Sequence, residues 1–356
     1  MRGKRVVSAG VLVCLCVWVC GVRGSNPTDI NNDGIVDMLD VAIVCENWLW
    51  EAPDPCEFAF IPGGTFEMGD SFGEGLDREL PVHTVTLDSF YMSKYEITNQ
   101  QYCDYLNSAL GQGLIVVTSG HVYKAGSETG YFYCDTSTSS PYSQIAYNGS
   151  VFSVRTKSGR SMVNDPMVQV SWYGAVAYCN WRSGQLGRQL CYDSGTLLPI
   201  YPLRNGVRLA TEAEWEYVAR GGLAGRRFPW GDTITHSQSN YYSDSRWSYD
   251  TSPTRGYHPT WDDGVEPRTS PAGSFPANNY GLCDMAGNVC EWCNDWYGSY
   301  SSASQTNPTG PSSGAYRVLR GGGWTYDAYY CRAARRSFYR PDDRLSSIGL
   351  RVVLDL

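Results

Sequence analysis

Histidine is scarce in this sequence: only His83, His121, His236 and His258 occur in 356 residues. None falls in a His-x-His or His-Glu-x-x-His spacing, so a zinc or iron site built from such pairs is not expected. Charge is sparse as well, at 18% of residues, and the net charge is -8. A surface of that sign is poorly matched to nucleic acid or to an anionic membrane. The run Gly321-Gly322-Gly323 lacks the lysine and helix pattern of a phosphate loop and is read as close backbone packing beside Trp324. Beyond residue 22 no apolar run is long enough to span a bilayer.

What is abundant is glycine (38), tyrosine (26) and tryptophan (12), which suits a loop-rich domain packed on aromatics. The N-terminus carries Arg2, Lys4 and Arg5, then an apolar run from Val6 to Val22, then Gly24-Ser25-Asn26-Pro27. That order reads as a signal peptide over residues 1–24, so the mature chain is expected to be secreted, periplasmic or at the cell surface, with no membrane contact after cleavage. A retained anchor would need a longer run, and a lipid-anchored Cys20 is poorly flanked. Of 13 cysteines, Cys14, Cys16 and Cys20 lie in this leader. The ten that remain form an even set in an exported chain, which points to disulfides of open connectivity.

Residues 25–52 hold a short calcium-loop pattern. Asp29, Asn31, Asp33, Asp37 and Asp40 fall at loop positions 1, 3, 5, 9 and 12, with Gly34 at the turn. Oxygen ligands at this spacing wrap one Ca²⁺. The segment resembles one half of a dockerin, which implies a cohesin partner, although that family uses two repeats and only one is visible. Pro53-Asp54-Pro55 marks a linker over 53–57.

The main body, 58–356, mixes helix and strand signals. Thr98-Asn99-Gln100-Gln101 and Thr211-Glu212-Ala213-Glu214 are capping boxes, and Ser171 caps a third helix. Phe58–Ile61, Val82–Leu87, Val151–Thr156, Arg317–Arg320 and Leu350–Leu354 read as strands. Residues 110–165, rich in Ser, Thr, Gly and Tyr, look like an insertion.

An ordered set of motifs runs through this body: Ile61-Pro62-Gly63-Gly64-Thr65-Phe66-Glu67-Met68-Gly69, Arg208-Leu209-Ala210-Thr211-Glu212-Ala213-Glu214-Trp215-Glu216, Asp284-Met285-Ala286-Gly287-Asn288-Val289, and Arg317-Val318-Leu319-Arg320-Gly321-Gly322-Gly323-Trp324. In order and spacing they resemble the formylglycine-generating enzyme, or sulfatase-modifying factor, family. The resemblance implies an α+β, C-type-lectin-like fold with little regular secondary structure. It also implies two calcium sites, at Asn240, Tyr241, Asp263 and Val265, and at Asp284, Gly287, Val289 and Glu291.

Active members of that family oxidise a sulfatase cysteine with O₂ and a copper ion held by two thiolates. Here the first thiol position is Tyr326, while Cys331 preserves the second. Gly323 replaces a serine of the oxygen pocket, and Cys290 replaces a tryptophan. Copper is therefore not an expected cofactor, and Cys331 is expected to bond Cys293 rather than to act as a catalytic thiol. Further expected bridges are Cys283–Cys290, Cys179–Cys191 and Cys103–Cys134. The leading expectation is a diverged, calcium-stabilised module binding a protein, peptide or glycan in a cleft of Trp324, Tyr326, Tyr330 and Arg332. The alternatives are an oxidase acting on sulfatase peptides and a dockerin-linked accessory of polysaccharide breakdown.

Overall fold

Helix boundaries follow from the capping residues. The computed structural model describes residues 57–356 apart from 128, 129 and 204, so the leader, the loop from Asp29 to Asp40 and most of the linker lie outside the described residues. Helix α1 (Asn99–Gly111) opens with a closed capping box: Gln101 N donates to Thr98 Oγ1 at 3.2 Å and Thr98 N to Gln101 Oε1 at 2.9 Å. Helix α2 (Trp172–Gln185) is capped by Ser171, which accepts from Gly174 N at 3.0 Å. Helix α3 (Glu212–Ala219) repeats the box with Thr211 and Glu214. Gly221 and Gly222 then take positive φ, as a helix C-terminus favours. No helix of the described residues is long and apolar enough to cross a membrane.

The strands are short. One antiparallel sheet orders Phe58–Ile61, Phe90–Ser93, Val352–Asp355 and Val207–Leu209, so the start and end of the domain pair through a shared neighbour. A second sheet orders Ser337–Tyr339, Arg317–Arg320, Cys290–Trp296 and Ile348–Gly349. The expected strand over 151–156 divides into Phe152–Val154 and Thr156–Lys157, which pair with different partners. Within 110–165 the chain also forms the three-stranded sheet of Ile115–Thr118, His121–Lys124 and Phe132–Asp135.

With so little regular structure, aromatic burial carries much of the core. Trp172, Trp215, Trp292 and Trp324 are each at most 1% exposed. A buried indole of this size contributes on the order of 5 kcal/mol of gross transfer energy. Every one of their ring N–H groups has an acceptor: Cys293 O, Glu291 Oε2, Val170 O and Ser346 O respectively. Buried arginines tie distant segments in the same way. Arg208 holds both the capping residue Glu214 and Asp355 of the last strand, and Arg317 lies between the rings of Trp172 and Trp296 at 3.6 and 3.5 Å.

Candidate functional site

Strand Cys290–Trp296 and the turn after strand Arg317–Arg320 bring Cys290 and Cys331 to the same place. Gly321 and Gly322 have φ of 96° and 71°. A Cβ on Gly322 would meet Cys331 Sγ at 2.8 Å and Tyr330 O at 2.9 Å, so only glycine fits this turn without displacement. The Gly322 amide faces the Cys290 sulfur and the Gly323 amide faces that of Cys331. Burial pushes the Cys290 thiol up to about 12. Burial, then the neighbouring Cys290, pushes Cys331 well above its ordinary value. Both thiols are thus held protonated.

Tyr326 is half-buried beside them. Burial and then Cys290 push its phenol upward, and its hydroxyl partners are Ser347 and Tyr339. Its ring lies 5.1 Å from that of Tyr330. The expected cleft needs correction at its other two residues. Trp324 is buried and donates to Ser346 O at 2.9 Å. Arg332 is 1% exposed and bidentate to Glu79, at 2.9 and 3.2 Å, so a buried ion pair already consumes its charge. Tyr326 and Tyr330 remain accessible, with the partly exposed Tyr242, Tyr257 and Tyr329 on neighbouring segments.

The disulfide expectations are also corrected: no disulfide joins any of the eight described cysteines. Cys293 packs among Trp215, Met285 and Val318, whereas Cys331 packs among Phe228, Tyr241 and Ala328. Cys290 faces Cys331 and not Cys283. Cys179 and Cys191 are neighbours, as are Cys103 and Cys134, yet neither pair is bonded. An even cysteine count constrains nothing once each thiol has an apolar niche of its own. That Cys290 would meet Cys331 had no signal in the sequence, because the contact is made by the turn at Gly321–Gly323, far along the chain from Cys290.

The residues of the second expected calcium site gather around a carboxylate group. Glu96, Asp284 and Glu291 face one guanidinium, Arg351, and all are buried. Asp284 has φ +59 and its Oδ1 has no hydrogen-bond partner. Burial, with Glu291 adding repulsion, pushes it up to about 6. Glu96, raised by burial and then by Asp284, accepts from Asn288 and from Val289 N. An orphaned buried oxygen in an acidic group is what a hard cation would satisfy; of this set only Asp284 offers one, because both Glu291 oxygens already accept from Arg351 and Trp215. No group of three His, Cys, Asp or Glu side chains is arranged to hold a metal among the described residues. A site here would rest partly on the carbonyls of Gly287 and Val289.

At the first expected calcium site the residues do not fit. Asp263 Oδ1 and Val265 O both meet the ammonium of Lys157. Asn240 turns instead to Arg268 O, at 2.8 Å, and to Asn288. Tyr241 is buried, with its hydroxyl on Asp250 at 2.7 Å.

A cavity of about 470 Å³ lies apart from the thiols, lined by Glu212, Asp295, Arg336, Tyr300, Trp296 and Met68 among others. Asp295 is pushed up to about 8 by burial and then by Glu212. Neither the cavity nor Asp295 was expected. The only hint is an acidic residue that the strand pattern would place on a buried face. The string Gly69-Asp70-Ser71-Phe72-Gly73 has the spacing of a nucleophile elbow, but it leads into a loop pinned by Asp70 and then a single 3-10 turn, Asp77–Glu79, in place of the α-helix an elbow needs.

The family model described as "Sulfatase-modifying factor enzyme 1-like domain" matches residues 51–356. The formylglycine-generating enzyme of Streptomyces coelicolor is 34% identical over 83% of this chain and 88% of its own length. That of Mus musculus is 32% identical, over 83% of this chain and 74% of its own length. A second Mus musculus protein, "Inactive C-alpha-formylglycine-generating enzyme 2", is 29% identical over 85% of this chain and 87% of its own length. Among solved structures, Treponema denticola variable protein 1 superposes with a TM-score of 0.57 at 23% identity, covering 84% of this chain and 95% of that one. The expected fold class is therefore correct.

Proposed function

The chain belongs to the sulfatase-modifying factor enzyme 1-like family, and from that premise we propose a secreted, catalytically diverged member that binds a protein or peptide. Family relatives named for formylglycine generation favour a polypeptide partner, and a glycan is the alternative ligand of the same aromatic surface. The observation that carries this reading is Tyr326. It occupies the position that resemblance assigns to the first copper thiol, and its phenol is held protonated against Ser347 and Tyr339. Soft thiolates suit Cu(I), and a phenol beside a buried, protonated Cys331 does not supply that pair. Tyr326 and Tyr330 present two rings with polar tips, a surface that gains contact area at little entropic cost. Ca²⁺ at Asp284, Gly287, Val289 and Glu291 would neutralise the surplus of buried carboxylates. Docking to a cohesin through the Asp29–Asp40 loop belongs to the same proposal as its accessory role.

One observation favours a second reading, an oxidase of altered site. Cys290 and Cys331 flank the Gly322 and Gly323 amides, so two sulfurs do meet here. The experiment separating the two incubates the purified chain with copper, O₂ and a Cys-x-Pro-x-Arg peptide and traps aldehyde. Diverged binding predicts no aldehyde, together with peptide affinity that falls in Tyr330→Ala. Aldehyde lost in both Cys290→Ala and Cys331→Ala would establish the oxidase instead. A cohesin pull-down with and without chelator tests the docking role.

A further inference from the structure

We propose that Lys157 is a built-in cation that takes the place of a metal ion in ordering the loop over 261–269. The ammonium sits on a hairpin, Thr156–Lys157 paired with Arg160–Ser161, whose turn residues Ser158 and Gly159 have φ of 50° and 77°. Two successive positive φ values make the tight turn that suits strand twist, and the turn aims Lys157 at the loop. Its Nζ lies 3.1 Å from Asp263 Oδ1, 3.0 Å from Val265 O and 2.5 Å from Pro267 O. An ammonium has three donors, and here three oxygens use them all. The side chain is 7% exposed, so water competes little for those bonds.

The same hairpin holds the loop at two more points. Arg160 donates to Thr269 O at 3.1 Å and lies 5.3 Å over the ring of Trp261, while Asp165 anchors its other edge at 2.5 and 2.9 Å. One small hairpin therefore grips the loop at its start, middle and end. These contacts collect the oxygens that a hard cation would otherwise gather: a carboxylate and a series of backbone carbonyls. A divalent ion on Asp263 and Val265 would stand within a few ångströms of the Lys157 charge. At that separation two like charges repel, which disfavours joint occupancy. The residues 156–161 that carry the device lie in the segment read as an insertion. Added sequence thus supplies covalently what a free ion would supply by mass action.

The test is hydrogen exchange of residues 261–269 in the full chain, with Ca²⁺ and with EDTA. In the unaltered protein, protection of this loop is expected to change less than about twofold on chelation. In Lys157→Met, which keeps the stem and loses the donors, exchange is expected to rise roughly tenfold or more, the scale of a lost charge-assisted hydrogen bond. Chelator-dependent protection in the unaltered protein would overturn the proposal, as would unchanged exchange in Lys157→Met. Should that variant fail to fold, the chelation experiment on the unaltered protein decides alone.

Discussion

Arg351 and Glu291 form an ion pair at 2.9 Å in which each side chain is 1% exposed. The same guanidinium donates to Ser93 O and Cys283 O, so it ties the last strand to two other segments. Glu96 and Asp284 also lie in its field. Removing it leaves three buried carboxylates with no counter-charge. Arg351→Met is expected to cost roughly 3–5 kcal/mol, the scale of breaking one side of a buried pair. The double variant Arg351→Met, Glu291→Gln should recover part of that loss in urea unfolding. Equal instability of the single and double variants would show that the lost hydrogen bonds, and not the charge, dominate.

Calcium at this cluster should act more strongly as pH rises. Asp284 is held at about 6 and Glu96 is raised too. Without a cation the folded state binds protons that the unfolded chain releases. Stability from these groups is therefore present at low pH and declines as pH rises through about 6. A bound cation needs the ionised carboxylates and displaces those protons. Ca²⁺ is expected to raise the melting temperature more at pH 7.5 than at pH 5, and Asp284→Asn should abolish most of the gain. A pH-independent gain would place the ion elsewhere.

How far the sequence reaches is visible in these residues. The caps at Thr98, Ser171 and Thr211 were legible because capping is a three-residue interaction. The expected strands formed wherever a short apolar alternation had a partner. Lys157 was not legible: its oxygens lie more than 100 residues later in the chain. Arg332 was misread for a related reason. Its partner Glu79 is 253 residues away, and a lone arginine near a suspected cleft looks available until that partner is located. Motif order gave the family and, through it, the fold. It could not show that Cys290, standing where the family has a tryptophan, would face Cys331.

Thiol mapping gives a direct check on the corrected cysteine assignments. Unfolded without reductant and alkylated, the purified chain is expected to carry label on all eight of Cys103, Cys134, Cys179, Cys191, Cys283, Cys290, Cys293 and Cys331. In the native state labelling should be slow, since all eight are buried and a buried neutral thiol is a poor nucleophile. Protection of Cys293 together with Cys331 after unfolding would restore the bridge expected from resemblance.

The turn at Gly322 should be intolerant of any side chain. Alanine there meets Cys331 Sγ at 2.8 Å and the Tyr330 backbone at 2.9 Å, on a backbone of φ +71. The Tyr330 oxygen is backbone, and the Cys331 sulfur ends a short side chain that is itself buried. Gly322→Ala is expected to destabilise by about 1–3 kcal/mol, combining overpacking with strain. Its labelling pattern should change first at Cys290 and Cys331. A variant of unaltered stability would mean that the two thiol segments are not held together by this turn.

Asp295 offers a pH signature of the cavity that no motif announced. Its Oδ2 accepts from Glu212 N at 2.9 Å, while the Glu212 carboxylate is occupied by Arg336 at 2.6 and 2.7 Å. Burial and that neighbouring carboxylate hold Asp295 at about 8, against about 3.9 in an unfolded chain. Between those values the folded protein keeps a proton that the unfolded chain gives up. Asp295 therefore costs stability progressively as pH rises from about 4 to about 8, with a slope no steeper than about 1.4 kcal/mol per pH unit. Asp295→Asn keeps the acceptor oxygen and cannot ionise. Its stability should exceed that of the unaltered protein by a margin that widens by at least about 1 kcal/mol between pH 5 and pH 8. Parallel stability curves for the two proteins would mean that the carboxyl is solvated in the folded state and ionises there as it does in the unfolded chain.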